Sequence, residues 1–147
     1  MDINQIKLDN KFKLVEASAG TGKSFTLAHI VLRNVLEKKV KPDEILLLSF
    51  TKNTCSELRD KILLRFKDLK LYLENHNEIK IDNTLKDWYL KFKEKEKSKE
   101  KTLSEIDNFI NEIYSISDQP CCEICNCCCT IFQRKSFCKR YIKIVYI

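Results

Sequence analysis

Glycine and proline are scarce in this chain, with two of each among 147 residues. A sandwich or barrel assembled from many tight turns needs more of both. Long apolar runs are missing as well. No stretch of about 18 apolar residues occurs, so neither a transmembrane helix nor a membrane partner is expected. Residues 1–10 are polar and mixed in charge, without the apolar centre of a secretory signal, which makes the cytoplasm the expected compartment. Histidine is confined to His29 and His76, and neither has a sequence neighbour that suggests catalysis. No internal repeat is found.

What is present fits one folded domain. The hydrophobic fraction, 44%, supports a core. The formal net charge of +6 permits contact with nucleic acid or nucleotide without demanding it. The eight cysteines are unevenly placed: seven of them lie between Cys121 and Cys138.

The patterning divides the chain into residues 1–75, 76–118 and 119–147. In the first part, Phe12-Lys13-Leu14-Val15-Glu16-Ala17 reads as a short strand. Ala28, Val31, Leu32 and Val35 then recur at helical spacing from Lys23 onward. Pro42-Asp43 marks a break. Ile45-Leu46-Leu47-Leu48-Ser49-Phe50 is apolar enough for a buried parallel strand. Thr54 and Glu57 stand at capping-box spacing, ahead of an apolar stripe through Leu58, Ile62, Phe66, Leu69 and Leu73. Strand, loop, helix, strand, helix is the rhythm of a parallel α/β unit. In the second part, Leu85, Trp88, Tyr89 and Phe92 form one stripe, and Leu103, Ile106, Ile110 and Ile113 another. Between them lies the charged run KFKEKEKSKEK, residues 91–101, read as a solvated connection, with Thr102 and Glu105 as a second capping box. The stripe carrying Trp88 and Tyr89 is read as core. The third part, rich in cysteine, is read as irregular, although its last residues, Tyr141 to Ile147, alternate apolar and polar weakly, like a strand. The predicted fold class is therefore α/β: a partial phosphate-loop parallel-sheet unit, then helices, then an irregular cysteine-rich tail.

The most informative segment is Ala17-Ser18-Ala19-Gly20-Thr21-Gly22-Lys23-Ser24, which follows a strand and opens a helix. Gly20 and Gly22 allow the backbone to curl so that successive N–H groups face phosphate oxygens. The helix start adds partial positive charge at the same place. Lys23 supplies a full charge to the β- and γ-phosphates, and the Ser24 hydroxyl is a hard oxygen ligand for Mg²⁺. Both glycines of the chain fall in this loop. Ala17 stands where the strict phosphate-loop pattern has its first glycine. All eight residues are candidates for binding ATP with Mg²⁺.

A second segment, Ser49-Phe50-Thr51-Lys52-Asn53-Thr54-Cys55-Ser56-Glu57-Leu58-Arg59, would leave the sheet at the same edge as the phosphate loop, where open sheets bind ligands. Together the two segments resemble UvrD-like superfamily 1 DNA helicases, closest to the RecB type, the beta chain of exodeoxyribonuclease V. Glu16-Ala17-Ser18-Ala19-Gly20-Thr21-Gly22-Lys23-Ser24-Phe25-Thr26 looks like the first helicase motif. The second segment resembles the next motif, Thr-Phe-Thr, small residues, then Glu-Leu-Arg. The similarity covers residues 12 to about 70. It implies a RecA-like motor core, ATP-driven movement on single-stranded DNA, Phe50 and Thr51 on the DNA path, and the other exonuclease V subunits as partners.

This sequence departs from the family pattern in specific ways. Ser49 replaces the first Thr, and Lys52-Asn53-Thr54 is more polar than usual. No apolar strand ends in an adjacent acidic pair to complete the magnesium site, and Asp107 falls in a helical pattern. No complete catalytic set is therefore assigned. The tail holds Cys121, Cys122, Cys125, Cys127, Cys128, Cys129 and Cys138, with C-x-x-C spacings at 122/125 and 125/128 but no two separated ligand pairs of the zinc type. Thr130-Ile131-Phe132 and Ser136-Phe137-Cys138-Lys139-Arg140 faintly resemble a later motif of the same family. Three functions follow as expectations: an ATP-binding N-terminal portion of a helicase, a small non-catalytic nucleotide- or metal-binding protein, or the functionless product of a truncated gene.

Overall fold

The structure, a computed structural model, describes residues 2–8, 12–14, 22–49, 52–75, 79–117, 129–130 and 142–145. In chain order these form strand β1 (Phe12–Leu14), helix α1 (Lys23–Lys38), strand β2 (Ile45–Ser49), helices α2 (Lys52–Glu74), α3 (Asn83–Lys95) and α4 (Lys99–Ser117), and strands β3 (Cys129–Thr130) and β4 (Ile142–Val145). Single 3₁₀ turns occupy Ile3–Gln5 and Pro42–Glu44.

The predicted fold class does not hold. Helix dominates the described residues, and the core is built by helix on helix. Apart from Leu8, Pro42 and Ile45, every buried apolar side chain described lies on α1, α2, α3 or α4. The strands are two to five residues long and form a mixed sheet in the order β1-β4-β2-β3, with β3 antiparallel to β2. The two strands from the cysteine-rich third of the chain are part of that sheet, and β4 lies between β1 and β2. A parallel unit complete within residues 1–75, with an irregular tail after it, is therefore not what forms. Strand neighbours are chosen over long sequence distances, and a local apolar pattern cannot select them.

α1 is the central helix. Its residues from Leu27 through Leu36 are all buried, so neighbours cover every side of it. α2 packs along one flank, and the N-terminal turn Ile3–Gln5 packs on another. The stripe predicted on α2 is confirmed: Leu58, Ile62, Phe66, Leu69 and Leu73 are all buried. α4 packs on α2, where Phe66 and Phe109 stack with ring centroids 4.0 Å apart. On α3, Leu85, Trp88, Tyr89 and Phe92 are buried as predicted, and Trp88 stacks on Phe92 at 4.9 Å.

The helix ends differ in detail from the predicted caps. α4 begins before Thr102, and Ser98 is its cap: the Ser98 Oγ accepts from the Lys101 N–H at 3.2 Å. Thr102 is buried and donates its hydroxyl to the Ser98 carbonyl at 3.1 Å. Asp82 caps α3 by accepting from the Leu85 N–H at 3.0 Å. α1 ends with Lys39 in the left-handed region at φ 55°, where glycine is the usual choice. The Val40 N–H closes back on the Asn34 carbonyl at 3.2 Å.

Candidate nucleotide site

Three residues of the predicted phosphate loop are described: Gly22, Lys23 and Ser24. Ala17, Ser18, Ala19, Gly20 and Thr21 lie outside the described residues, as do Phe50 and Thr51. Gly22 is the N-cap of α1 with φ 77° and ψ 25°, a left-handed conformation that L side chains adopt at a cost. A Cβ there would meet no heavy atom within 4 Å, so backbone conformation rather than space requires glycine. Lys23 and Ser24 follow as the first helical residues, both half-buried. The Thr26 N–H donates to the Gly22 carbonyl at 2.9 Å and closes the first turn.

The electrostatics of this turn suit an anion. Backbone N–H groups of a first helical turn have no acceptor within the helix. The first turn of α1 contains no acidic residue, and its N-cap is a glycine, which has no side chain to cap it. The helix dipole and the Lys23 charge have the same sign at this turn. Ser24 has the hydroxyl that a hard divalent ion takes.

The sheet register relates this site to the second predicted motif. β1 and β2 are each parallel to β4, and Leu14 and Leu48 both pair with Val145. The chain segments leading to the phosphate loop and to Phe50 thus reach the same sheet edge at the same level, two strand spacings or about 10 Å apart.

Beyond the Gly22 turn lies a partly buried polar chain that the sequence pattern does not disclose. Arg65 of α2 is 4% exposed. Its guanidinium lies 4.3 Å from the ring centroid of Phe25, the residue after Ser24. The same group donates to His29 Nδ1, at 3.3 Å from Nε and 3.0 Å from Nη2, and pairs with the Asp82 carboxylate. His29 Nε2 stands 2.8 Å from Asn4 Oδ1, and Asn4 Nδ2 donates to the Thr84 carbonyl at 3.2 Å. With Arg65 donating to Nδ1, the partners assign the neutral tautomer with its proton on Nε2. Burial, reinforced by the Arg65 and Arg33 charges, lowers the imidazole pKa from 6.5 to about 3. His29 is thus a structural residue, as its lack of a catalytic partner in sequence suggests.

A second such chain ties α1 to α3. Arg33 donates to the carbonyls of Ile3 and Ile6 at 2.8 and 3.0 Å and to Glu37 Oε1 at 2.7 Å. The Trp88 indole also donates to Glu37 Oε1, at 2.6 Å. Burial pushes the Glu37 carboxyl up, yet Arg33 and Trp88 together hold it below its ordinary value. The one sequence signal for both networks is that His29 and Arg33 interrupt an apolar stretch. Asp107 accepts from Lys70 at 2.6 Å on the α2–α4 face. It does not approach the Gly22 turn as a member of an acidic pair. Among the described residues no group of His, Cys, Asp or Glu is arranged to hold a metal, and no helix is long and apolar enough to cross a membrane.

The family model of the UvrD/REP helicase N-terminal domain matches residues 3–126. The chain is similar to the RecBCD enzyme subunit RecB of Borreliella burgdorferi, 34% identical over 101 residues, covering 69% of this chain and 8% of that protein. It is 38% identical to the Haemophilus influenzae subunit over 74 residues, covering 45% of this chain and 6% of the relative. With the Mycobacterium tuberculosis subunit it shares 45% identity over 49 residues, which is 33% of this chain and 4% of the relative. The chain thus spans less than a tenth of the length of these curated relatives.

Proposed function

This chain belongs to the UvrD/REP helicase N-terminal domain family, and from that membership we propose that it is the ATP-binding portion of a RecB-type DNA helicase. Ala17 through Ser24 cradle the triphosphate. Lys23 neutralises charge on the β- and γ-phosphates, and Ser24 holds Mg²⁺. Bound Mg²⁺ supplies charge neutralisation at the phosphates. Phe50 and Thr51 belong to the single-stranded DNA path, and the other RecBCD subunits are the natural partners. Movement along DNA and its unwinding are activities proposed for the longer relatives' architecture.

The observation that carries this reading is the left-handed Gly22 placed directly before Lys23 and Ser24 at the start of an α1 turn free of acidic residues. The level arrival of β1 and β2 at one sheet edge supports a DNA contact beside the nucleotide. No apolar strand of the sequence ends in an adjacent acidic pair for water activation, Asp43-Glu44 preceding its strand rather than following it, so the chain by itself is expected to bind ATP without appreciable turnover.

Titration with a fluorescent ATP analogue and Mg²⁺ tests this. Lys23→Ala is expected to weaken binding by at least about tenfold, or 1.4 kcal/mol. Equal affinity in the two proteins overturns the nucleotide assignment. Turnover stimulated by single-stranded DNA and abolished in Lys23→Ala overturns the binding-only assignment.

A further inference from the structure

The ring of Phe25 stands at the surface and is held from one side by a buried cation. Phe25 follows Ser24 as the third residue of α1 and is 39% exposed. Arg65, on α2, is 4% exposed and lies over that ring, with its guanidinium carbon 4.3 Å from the centroid.

Arg65 is itself fixed before it reaches Phe25. Its Nε and Nη2 both donate to His29 Nδ1. Its Nη1 and Nη2 both donate to the Asp82 carboxylate, Nη2 at 3.2 Å. These donors lie in the plane of the guanidinium, so they hold the group by its edge and leave its flat face for a ring. Phe25 and His29 are four residues apart and share one side of α1. Arg65 therefore grips α1 at two successive turns, by its face at Phe25 and by its edge at His29.

The joint between α1, α2 and α3 is complete with His29 and Asp82. The contact with Phe25 bears on the first turn of α1 instead. The backbone N–H groups of Lys23, Ser24 and Phe25 belong to that turn and have no acceptor within the helix. Where they point depends on the attitude of the turn. Gly22 precedes it, and glycine is the residue type that constrains the backbone least, so the turn is not fixed from its front. The Phe25 ring fixes it from its side.

We propose that Arg65 is a positioning residue of the nucleotide site: by holding the Phe25 ring it sets the direction in which the first turn of α1 presents Lys23, Ser24 and its backbone N–H groups to phosphate. The assignment rests on the nucleotide reading above and deepens it. Arg65 acts through Phe25 and not on the phosphates directly. Arginine suits the task because its guanidinium is planar, always charged, and able to bind by edge and face at once. Lysine, a point charge on a flexible stem, can pair with Asp82 but cannot do both.

Titration of the full chain with a fluorescent ATP analogue and Mg²⁺, with a thermal melt of each variant, tests the proposal. Phe25→Leu keeps an apolar side chain at an exposed position and removes the ring face. It is expected to melt with wild type and to bind the analogue about fivefold or more weakly. Phe25→Tyr keeps the ring face and should recover most of that affinity. Arg65→Lys keeps the charge and should weaken binding by a similar factor, and Phe25→Leu/Arg65→Lys should weaken it no further. Equal affinity of Phe25→Leu and wild type overturns the proposal. So does a tyrosine variant as weak as the leucine one, or a double variant whose loss is the product of the two single losses. A Phe25→Leu chain that melts well below wild type makes the ring part of the core and also overturns it. If Arg65→Lys does not fold, the leucine and tyrosine variants decide alone. Lys23→Ala separates the two readings. Analogue binding that Lys23→Ala weakens and Phe25→Leu does not overturns this proposal and leaves the nucleotide site standing. A wild-type chain that binds no analogue overturns both.

Discussion

Arg65 donates from Nη2 to His29 Nδ1 at 3.0 Å, and this bond joins the helix that begins at the phosphate loop to the helix that follows Thr51. The pairing works only with a neutral imidazole, because a protonated Nδ1 would direct its hydrogen at a guanidinium.

Acid should therefore weaken the fold. The folded-state pKa of His29, about 3, lies below the 6.5 of an ordinary imidazole. Between these values the unfolded chain takes up a proton that the folded chain refuses. The contribution is complete above 6.5 and is lost progressively as pH falls toward 3. The slope is about 1.4 kcal/mol per pH unit, or about 2 kcal/mol between pH 6.5 and 5. Urea denaturation across that range should show it, and His29→Gln should remove this part of the pH dependence. Identical pH profiles in the two proteins would refute the assignment.

Asp82 has two roles, capping α3 and pairing with Arg65. Asp82→Ser retains a capping oxygen and loses the charge, whereas Asp82→Ala loses both. The alanine variant should be less stable than the serine variant by about 1 kcal/mol in thermal or chemical denaturation. Arg65→Met should cost about 3 kcal/mol, since it strips His29 and Asp82 of their common partner. Equal stability of the serine and alanine variants would dismiss the cap.

Gly22→Ala should destabilise the chain by about 1 to 2 kcal/mol, although the added methyl meets open space. The penalty comes from holding an L side chain at φ 77°. A melt that matches wild type would mean that the loop relaxes to another conformation, and ATP-analogue affinity should then fall with it.

Phe109 stacks on Phe66 and is fully enclosed, while Leu64, two residues before Phe66 on the opposite side of α2, is 57% exposed. Phe109→Ala should cost about 3 to 5 kcal/mol, whereas Leu64→Ser should stay within about 0.5 kcal/mol. Comparable losses in the two variants would show that α4 does not cover α2 as described.

Much of the local structure was legible in the residues. The helix after Lys23, the stripe of Leu58, Ile62, Phe66, Leu69 and Leu73, and the stripe of Leu85, Trp88, Tyr89 and Phe92 follow from helical spacing. Phe109 lies between Ile106 and Ile110 on α4 and is buried beside their stripe, an extra position that a spacing of three and four does not require. The Thr102 cap failed because Ser98, four residues earlier, had an equally good side chain for the role.

The remainder was set by contacts across the chain. Arg65 meets His29 across 36 residues, Asn4 meets Thr84 across 80, and Lys39 meets Glu105 across 66. No periodic pattern encodes such partners, because periodicity reports only which side of an element is apolar. The sheet shows the same limit. β2 follows from its apolar run and β4 from the weak alternation of Tyr141 to Ile147, but nothing local says that β4 lies between β1 and β2 or that Cys129–Thr130 pairs with β2.

The sequence alone determined the helices, the strand preceding the phosphate loop, and the concentration of both glycines beside Lys23 and Ser24. Each depends on residues within a few positions of one another, over which backbone preference, capping and side-chain spacing act. Only the tertiary structure decided that α1 is buried on all sides, that β4 separates β1 from β2, and that Arg65 lies over Phe25. Burial, strand order and side-chain contact depend on which distant surfaces meet, and that choice is made by the packing of the whole chain.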